Sequence, residues 1–143
     1  MILETKYHGE VSYDESEIIH FEKGVLGFEN LKKFIVFPLK DNEVFNVVHS
    51  VEDKNIGFVV ASPFMICKDY EFELNDIQED ALKVKCPNDV CVLNIVTLNS
   101  DVNKITINLR APLIINIKER IGEQIVLGSE KYKIKTPIIG EKK

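Results

Sequence analysis

The stretch "NLRAPLIINIKERIGEQIVL", residues 108–127, starts as a β-strand, meets a proline and carries on as a strand. Ile105, Ile107, Leu109, Ala111, Leu113, Ile115 and Ile117 share one parity, while Thr106, Asn108, Arg110, Pro112, Asn116 and Lys118 share the other, with Ile114 the exception. On this reading the alternation keeps its phase through Pro112. A proline cannot donate to a ladder, so Pro112 belongs at an edge, at a bulge, or at a corner where one strand passes between sheets. Small barrels and orthogonal sandwiches turn corners in this way. Asn108, Arg110 and Pro112 are therefore read as a structural bend, with the Arg110 guanidinium placed to tie carbonyls or a carboxylate. Asn108, Arg110 and Asn116 would form its outer, solvent-facing side.

The remaining segments point the same way. "EIIHF", "FIVFPL", "VFNVVH", "IGFVVA", "VCVLNIVTL", "QIVL" and "KYKIK" alternate or form short apolar runs rich in Val, Ile and Phe, separated by "EKG", "KDNE", "EDKN", "CPND", "NSDVN" and "LGSE". The expected fold is all-β and mainly antiparallel, a small barrel or orthogonal sandwich with one or two short helices. "LNDIQEDALKV" is the helix candidate, with Asp76 as N-cap, Glu79 completing a capping box, and Ile77 with Ala81 on one face; "GFENLKKF" could add a single turn, or its Phe28, Leu31 and Phe34 could equally lead into the next strand. "QIVLGSEKYKIK" reads as a hairpin about Gly128-Ser129 whose lysines protect an edge. One domain is expected over residues 1–136, with 137–143 as a flexible tail.

A chain of 143 residues can bury a real core, since domains of that size hide roughly 68–70% of their unfolded surface. With 18 basic against 23 acidic residues the net charge is −5, which disfavours general affinity for nucleic acid and suits a basic protein partner. No apolar run approaches the roughly 18 residues of a membrane span and no leader pattern precedes the first strand, so the cytoplasm is expected. Cys67, Cys86 and Cys91 sit among apolar or strand-like residues and read as reduced core thiols; their spacing lacks the pairs of a zinc site.

Catalytic patterns are missing: no nucleophile elbow, phosphate loop, dinucleotide fingerprint or zinc-protease helix occurs. His20 and His49 fall inside strand patterns, where a structural role is the ordinary one. Neither cofactor nor metal is expected. The densest chemical signal is acidic: Asp69, Glu71, Glu73, Asp76, Glu79 and Asp80, unbroken by a basic residue between Lys68 and Lys83. Along "DYEFEL", Tyr70, Phe72 and Leu74 would face inward and the acids outward. That pattern fits a solvated face, and it equally fits a docking surface for a basic protein.

The segments "IIHFEKGVLGFENLKKFIVFPL", "VVHSVEDKNIGFVVASPF", "DYEFEL", "CVLNIVTL" and "ITINLRAPLIINIKERIGEQIVL" resemble, in order, the FliW family of flagellar assembly factors, most specifically at "GVLGFE" and "NLRAPLIIN". The chain departs from that pattern at Leu26, His49 and Lys68. The resemblance implies a non-enzymatic regulator that binds newly made flagellin and, alternatively, the RNA-binding repressor CsrA, so relieving repression of flagellin synthesis. The six carboxylates are the expected CsrA-binding surface. A small-ligand-binding barrel or an uncharacterised enzyme is the competing reading, because β-barrels often hold a ligand in the mouth.

Overall fold

The computed structural model describes residues 1–40, 44–128 and 131–138. Its strands are β1 (Ile2–Thr5), β2 (Gly9–Ser12), β3 (Ile19–Phe21), β4 (Lys33–Pro38), β5 (Asn46–Ser50), β6 (Gly57–Ala61), β7 (Val90–Thr97), β8 (Thr106–Ile107), β9 (Leu113–Asn116), β10 (Ile121–Gln124) and β11 (Thr136–Pro137), with one α-helix, α1 (Asp76–Leu82). From β7 the hydrogen-bonded order runs through β6, β5, β4, β3, β10 and β9, and β9 pairs with β7 again. Seven strands thus close into a barrel. All its pairings are antiparallel except that of β3 with β10. The all-β, mainly antiparallel barrel expected from the pattern is present. A separate β1–β2 hairpin, whose mostly exposed residues lack a clear apolar alternation, was not among the expected strands.

The bend differs from the expected one. Val96 of β7 pairs with Ile107 of β8, and Leu93 pairs with Leu113 of β9. Between these pairs β7 has two residues, Asn94 and Ile95, whereas the facing strand has five, Asn108 to Pro112. The excess is odd, and an odd insertion exchanges the two faces of a pleated strand. The phase therefore does not survive the proline. Leu113 and Ile115 point into the barrel with Phe21, Phe34, Val48 and Leu93. Ile107 and Leu109, of the same sequence parity, lie on the opposite face with Val96, Tyr70 and Tyr132. Ile114, the apparent exception, is fully buried on the outer side against Leu82 of α1. Both faces of β9 are covered, so Asn116 is buried rather than solvent-facing, while Ile117 is exposed beyond the strand end.

Other expectations are corrected by tertiary context. The N-cap of α1 is Asn75, not Asp76: Asn75 Oδ1 accepts from Gln78 N–H at 2.8 Å and Gln78 Oε1 accepts from Asn75 N–H at 2.9 Å. The helix packs through Leu82, against Ile114 and Ile125, and leaves Ile77 and Ala81 exposed. "GFENLKKF" makes turns and no helix. Residues 131–135 form no strand; Tyr132 is drawn inward onto Tyr70 and Ile134 is exposed, which breaks the alternation expected of a hairpin. Ser129 and Glu130 of its expected turn lie outside the described residues. Thr136 and Pro137 pair with Ile107 and Thr106, and Ile138 N–H donates to Ile105 C=O, so the chain is docked through 138. The rest of the expected tail, 139–143, lies outside the described residues. All three cysteines are free thiols; burial pushes the Cys91 thiol up, but Cys86 is exposed and not a core residue.

Two glycines fix close approaches in the barrel wall. Gly24, in "GVLGFE", has φ +68°, and a Cβ there would lie 2.6 Å from the Glu29 Cα. Gly122 pairs with Phe21 across the one parallel junction, where a Cβ would sit 2.5 Å from the Phe21 ring. That ring is fully buried and packed edge-on to Phe34, so it has no free space to move into. Gly122→Ala should lower stability by about 1–3 kcal/mol through overpacking. Urea denaturation checks this: the midpoint falls with an unchanged slope.

Candidate functional site

The outer face of β7, β8 and β9 is covered by residues 66–84, an arm that follows β6 in the chain and includes α1. Its anchor is Tyr70, buried at the level of the bend. The Tyr70 hydroxyl donates to Leu109 C=O at 2.7 Å and accepts from Asn94 Nδ2 at 3.4 Å, while burial pushes its phenol pKa up. Asn94 Nδ2 also donates to Asn108 C=O at 2.7 Å, and Asn94 Oδ1 is buried with no hydrogen-bond partner among the described residues. Tyr132 lies 4.6 Å from Tyr70, ring centre to ring centre, and its hydroxyl accepts from Glu71 N–H at 3.0 Å. Two tyrosines thereby combine a large apolar contact with a polar end that fixes the backbone beside it.

At the other end of the arm, Asn116 holds the C-terminus of α1. Its Nδ2 donates to the carbonyls of Leu82 and Lys83 at 2.8 and 3.2 Å, and its Oδ1 accepts from the N–H groups of Lys118 and Glu119 at 3.1 Å each. Lys83 has φ 56°, so the helix ends in a left-handed residue whose carbonyl is one of those held.

Between these anchors residues 71–75 belong to no helix or strand, but their burial alternates with period two. Tyr70 is buried, Phe72 and Leu74 are half-buried against the sheet, and Glu71 and Glu73 face outward. Asp69 precedes them in a turn, and Asp76, Glu79 and Asp80 lie on α1; all six acids are exposed. Among the described residues, none of these six carboxylates accepts a hydrogen bond or pairs with a cation. They form one acidic flank on a single outer surface of the barrel. Asp76 and Glu79 also sit in the first turn of α1, where negative charge is favourable.

The bend residues divide their roles unevenly. Asn108 Oδ1 accepts from the N–H groups of Arg110 and Ala111 at 3.0 and 3.1 Å, closing the loop that the extra residues make. The carbonyls of Arg110 and Pro112 accept from Leu127 and Ile125 N–H, which ties the bend to the chain after β10. Pro112 stands where the ladder needs no donor. Contrary to the expected clamp, the Arg110 guanidinium makes no hydrogen bond or ion pair with the described residues. The organising side chains that sequence reading missed are Asn94, Asn116 and Tyr132. Asn94 and Asn116 had a signal: an amide inside an apolar strand must find partners once buried.

The histidines of the described residues take part in packing and hydrogen bonding. His49, buried in β5, directs Nδ1 to Ser50 C=O at 2.8 Å, and the His8 ring lies 6.1 Å from it with its pKa lowered by burial and then by His49. Among the described residues no group of three or more His, Cys, Asp or Glu side chains could hold a metal ion. No helix among them is long and apolar enough to cross a membrane.

The fold is a closed seven-stranded barrel that carries an anchored, acid-faced arm on its outer side. The model of the FliW protein family matches residues 2–138, and the chain belongs to that family. It is 57% identical over 141 residues to the flagellar assembly factor FliW of Clostridium botulinum (strain Okra / Type B1), covering 99% of each chain. It is 57% identical over 141 residues to the flagellar assembly factor FliW of Clostridium tetani (strain Massachusetts / E88), covering 99% of this chain and 97% of that one. A crystal structure of the flagellar assembly factor FliW superposes with a TM-score of 0.93 at 34% identity over the full length of both chains.

Asn108→Ala strips two backbone N–H groups of their acceptor and should cost about 2 kcal/mol, whereas Arg110→Ala should stay within about 0.5 kcal/mol. Thermal unfolding of the two variants side by side checks this. A larger loss for Arg110→Ala would move the structural role to the guanidinium.

Proposed function

We propose that this chain acts in flagellar assembly as a binding factor that holds flagellin or the RNA-binding regulator CsrA, and that its acidic flank is the surface that meets CsrA. The observation that carries the reading is the flank itself: six exposed carboxylates on one outer surface, none neutralised within the described protein. Charges held in this state create a directional field towards a basic partner, speeding encounter and penalising acidic competitors. The arm that carries them is fixed by Tyr70, Tyr132 and Asn116 to the sheet, so little ordering is required on binding. CsrA held on this surface is withdrawn from flagellin messenger RNA. Free flagellin, taken up by the same factor, returns CsrA to the message. The partners place this exchange in the cytoplasm, and no bond is made or broken in it.

Replacing Glu71 and Glu73 together by lysine should weaken CsrA binding by about ten- to a hundredfold at low ionic strength, and should flatten the salt dependence. Both side chains point away from the sheet, so the melting temperature should not move. Titration calorimetry at two salt concentrations provides the readout. Unchanged affinity and salt slope in the double variant would remove the flank from the CsrA surface.

A further inference from the structure

The arm has an unused edge. Glu71 N–H is taken by Tyr132 and Asn75 begins the helix cap, but the backbone N–H and C=O groups of Phe72, Glu73 and Leu74 have no hydrogen-bond partner in the described protein. This stretch forms one wall of an open groove of about 470 Å³. Val84, Lys85 and Cys86 line the groove as well, with Val90 and with Glu79 from α1. Lys85 and Cys86 donate their N–H groups to the Asp89 carboxylate, whose pKa is held below the usual carboxylate range by those bonds. The backbone carbonyls of Val84 and Lys85 accept nothing within the described protein. In a stretch of period two, successive residues send their N–H and C=O groups to opposite edges, so Phe72 and Leu74 share one free edge while Glu73 shares the other with Glu71. A free edge beside an apolar trough is the setting in which another chain adds as a strand, with main-chain bonds giving affinity and alternate side chains giving specificity.

The occupant follows from charge and period. Phe72, Leu74, Val84 and Val90 supply apolar contact, while Glu73 and Glu79 line the same trough, with Glu71, Asp76 and Asp80 exposed around it. Lys85 is the one cation among the groove's lining residues. A strand lying there would place alternate side chains against the apolar residues and the others against carboxylates. We propose that Phe72–Leu74 is a strand-addition site for an extended segment of a partner protein that alternates apolar and basic residues. This deepens the proposed acidic docking surface and rests on it for the partner's sign of charge; the mode of contact, backbone pairing, is new.

The test uses the full chain and an acetylated, amidated decapeptide alternating valine and lysine, followed by fluorescence anisotropy and residue-resolved amide exchange. The peptide should bind, and should slow exchange at Phe72 and Leu74, whose N–H groups share one edge, by at least about tenfold. A peptide N-methylated along one edge should bind at least about tenfold more weakly, an arm that needs no variant to fold. A valine–glutamate peptide should not bind. Binding without protection of those two amides, equal binding of the N-methylated or glutamate peptide, or protection that grows with protein concentration alone, which would mark a second copy of this chain, overturns the proposal. CsrA is titrated separately. If reversal at Glu71 and Glu73 weakens CsrA but CsrA leaves the Phe72 and Leu74 amides unprotected, strand addition fails and the acidic surface stands. If the peptide protects them and CsrA does not bind, the partner assignment fails and strand addition stands.

Discussion

Three surplus residues opposite Asn94 and Ile95 decide most of this molecule. They let one continuous segment pair twice with the same strand, β7, first as β8 and then as β9, with its faces exchanged between the two pairings. Without the exchange, Leu113 and Ile115 would not enter the barrel beside Phe21 and Leu93, and Ile114 would not turn outward towards Leu82. Asn108 makes the exchange tolerable by giving the loop's N–H groups an acceptor, and Pro112 removes a donor at a position where no partner stands. The closing pair of the barrel and the seat for its outer arm therefore come from the same five residues.

The arm inherits its rigidity from that seat. Tyr70 reaches Leu109 C=O inside the bend, Asn94 bridges Tyr70 to Asn108, and Asn116, at the end of β9, grips the last turn of α1. A seven-residue helix with so little of itself buried would be marginal alone, because short helices depend on tertiary contacts. Here both ends of the covering segment are pinned by hydrogen bonds to the sheet, and the acids it carries are displayed on a preformed surface. Outward charge and inward tyrosine are two faces of one period-two segment.

Much of this was legible in the sequence. Strand runs such as "FIVFPL" and "VCVLNIVTL" carry their own period, and Pro112 in an apolar run correctly signalled a corner. What parity could not reveal was the number of extra residues at that corner, because Ala111 and Leu113 look alike whether the strand is continuous or interrupted by an odd insertion. The displaced cap of α1 was ambiguous for a local reason: Asn75-Gln78 and Asp76-Glu79 satisfy the same capping rule one residue apart. Tyr132 broke the expected lysine-edged hairpin because its contact with Tyr70 is distant in sequence. The acidic flank was readable as exposed charge from alternation alone, but its open groove depends on how the 84–90 loop folds back beside it.

The exchange of faces at the bend is tested most directly by methyl–methyl nuclear Overhauser contacts in protein labelled at Ile, Leu and Val methyls. Ile114 should show contacts to Leu82, Leu113 should show contacts to Leu93, and Ile107 should show contacts to Val96. Contacts from Ile114 to the inward-facing Val48 or Val60, or Ile107 and Leu113 appearing together in one methyl cluster, would mean that the strand runs through Pro112 in phase, and the account of how the arm is seated would be wrong.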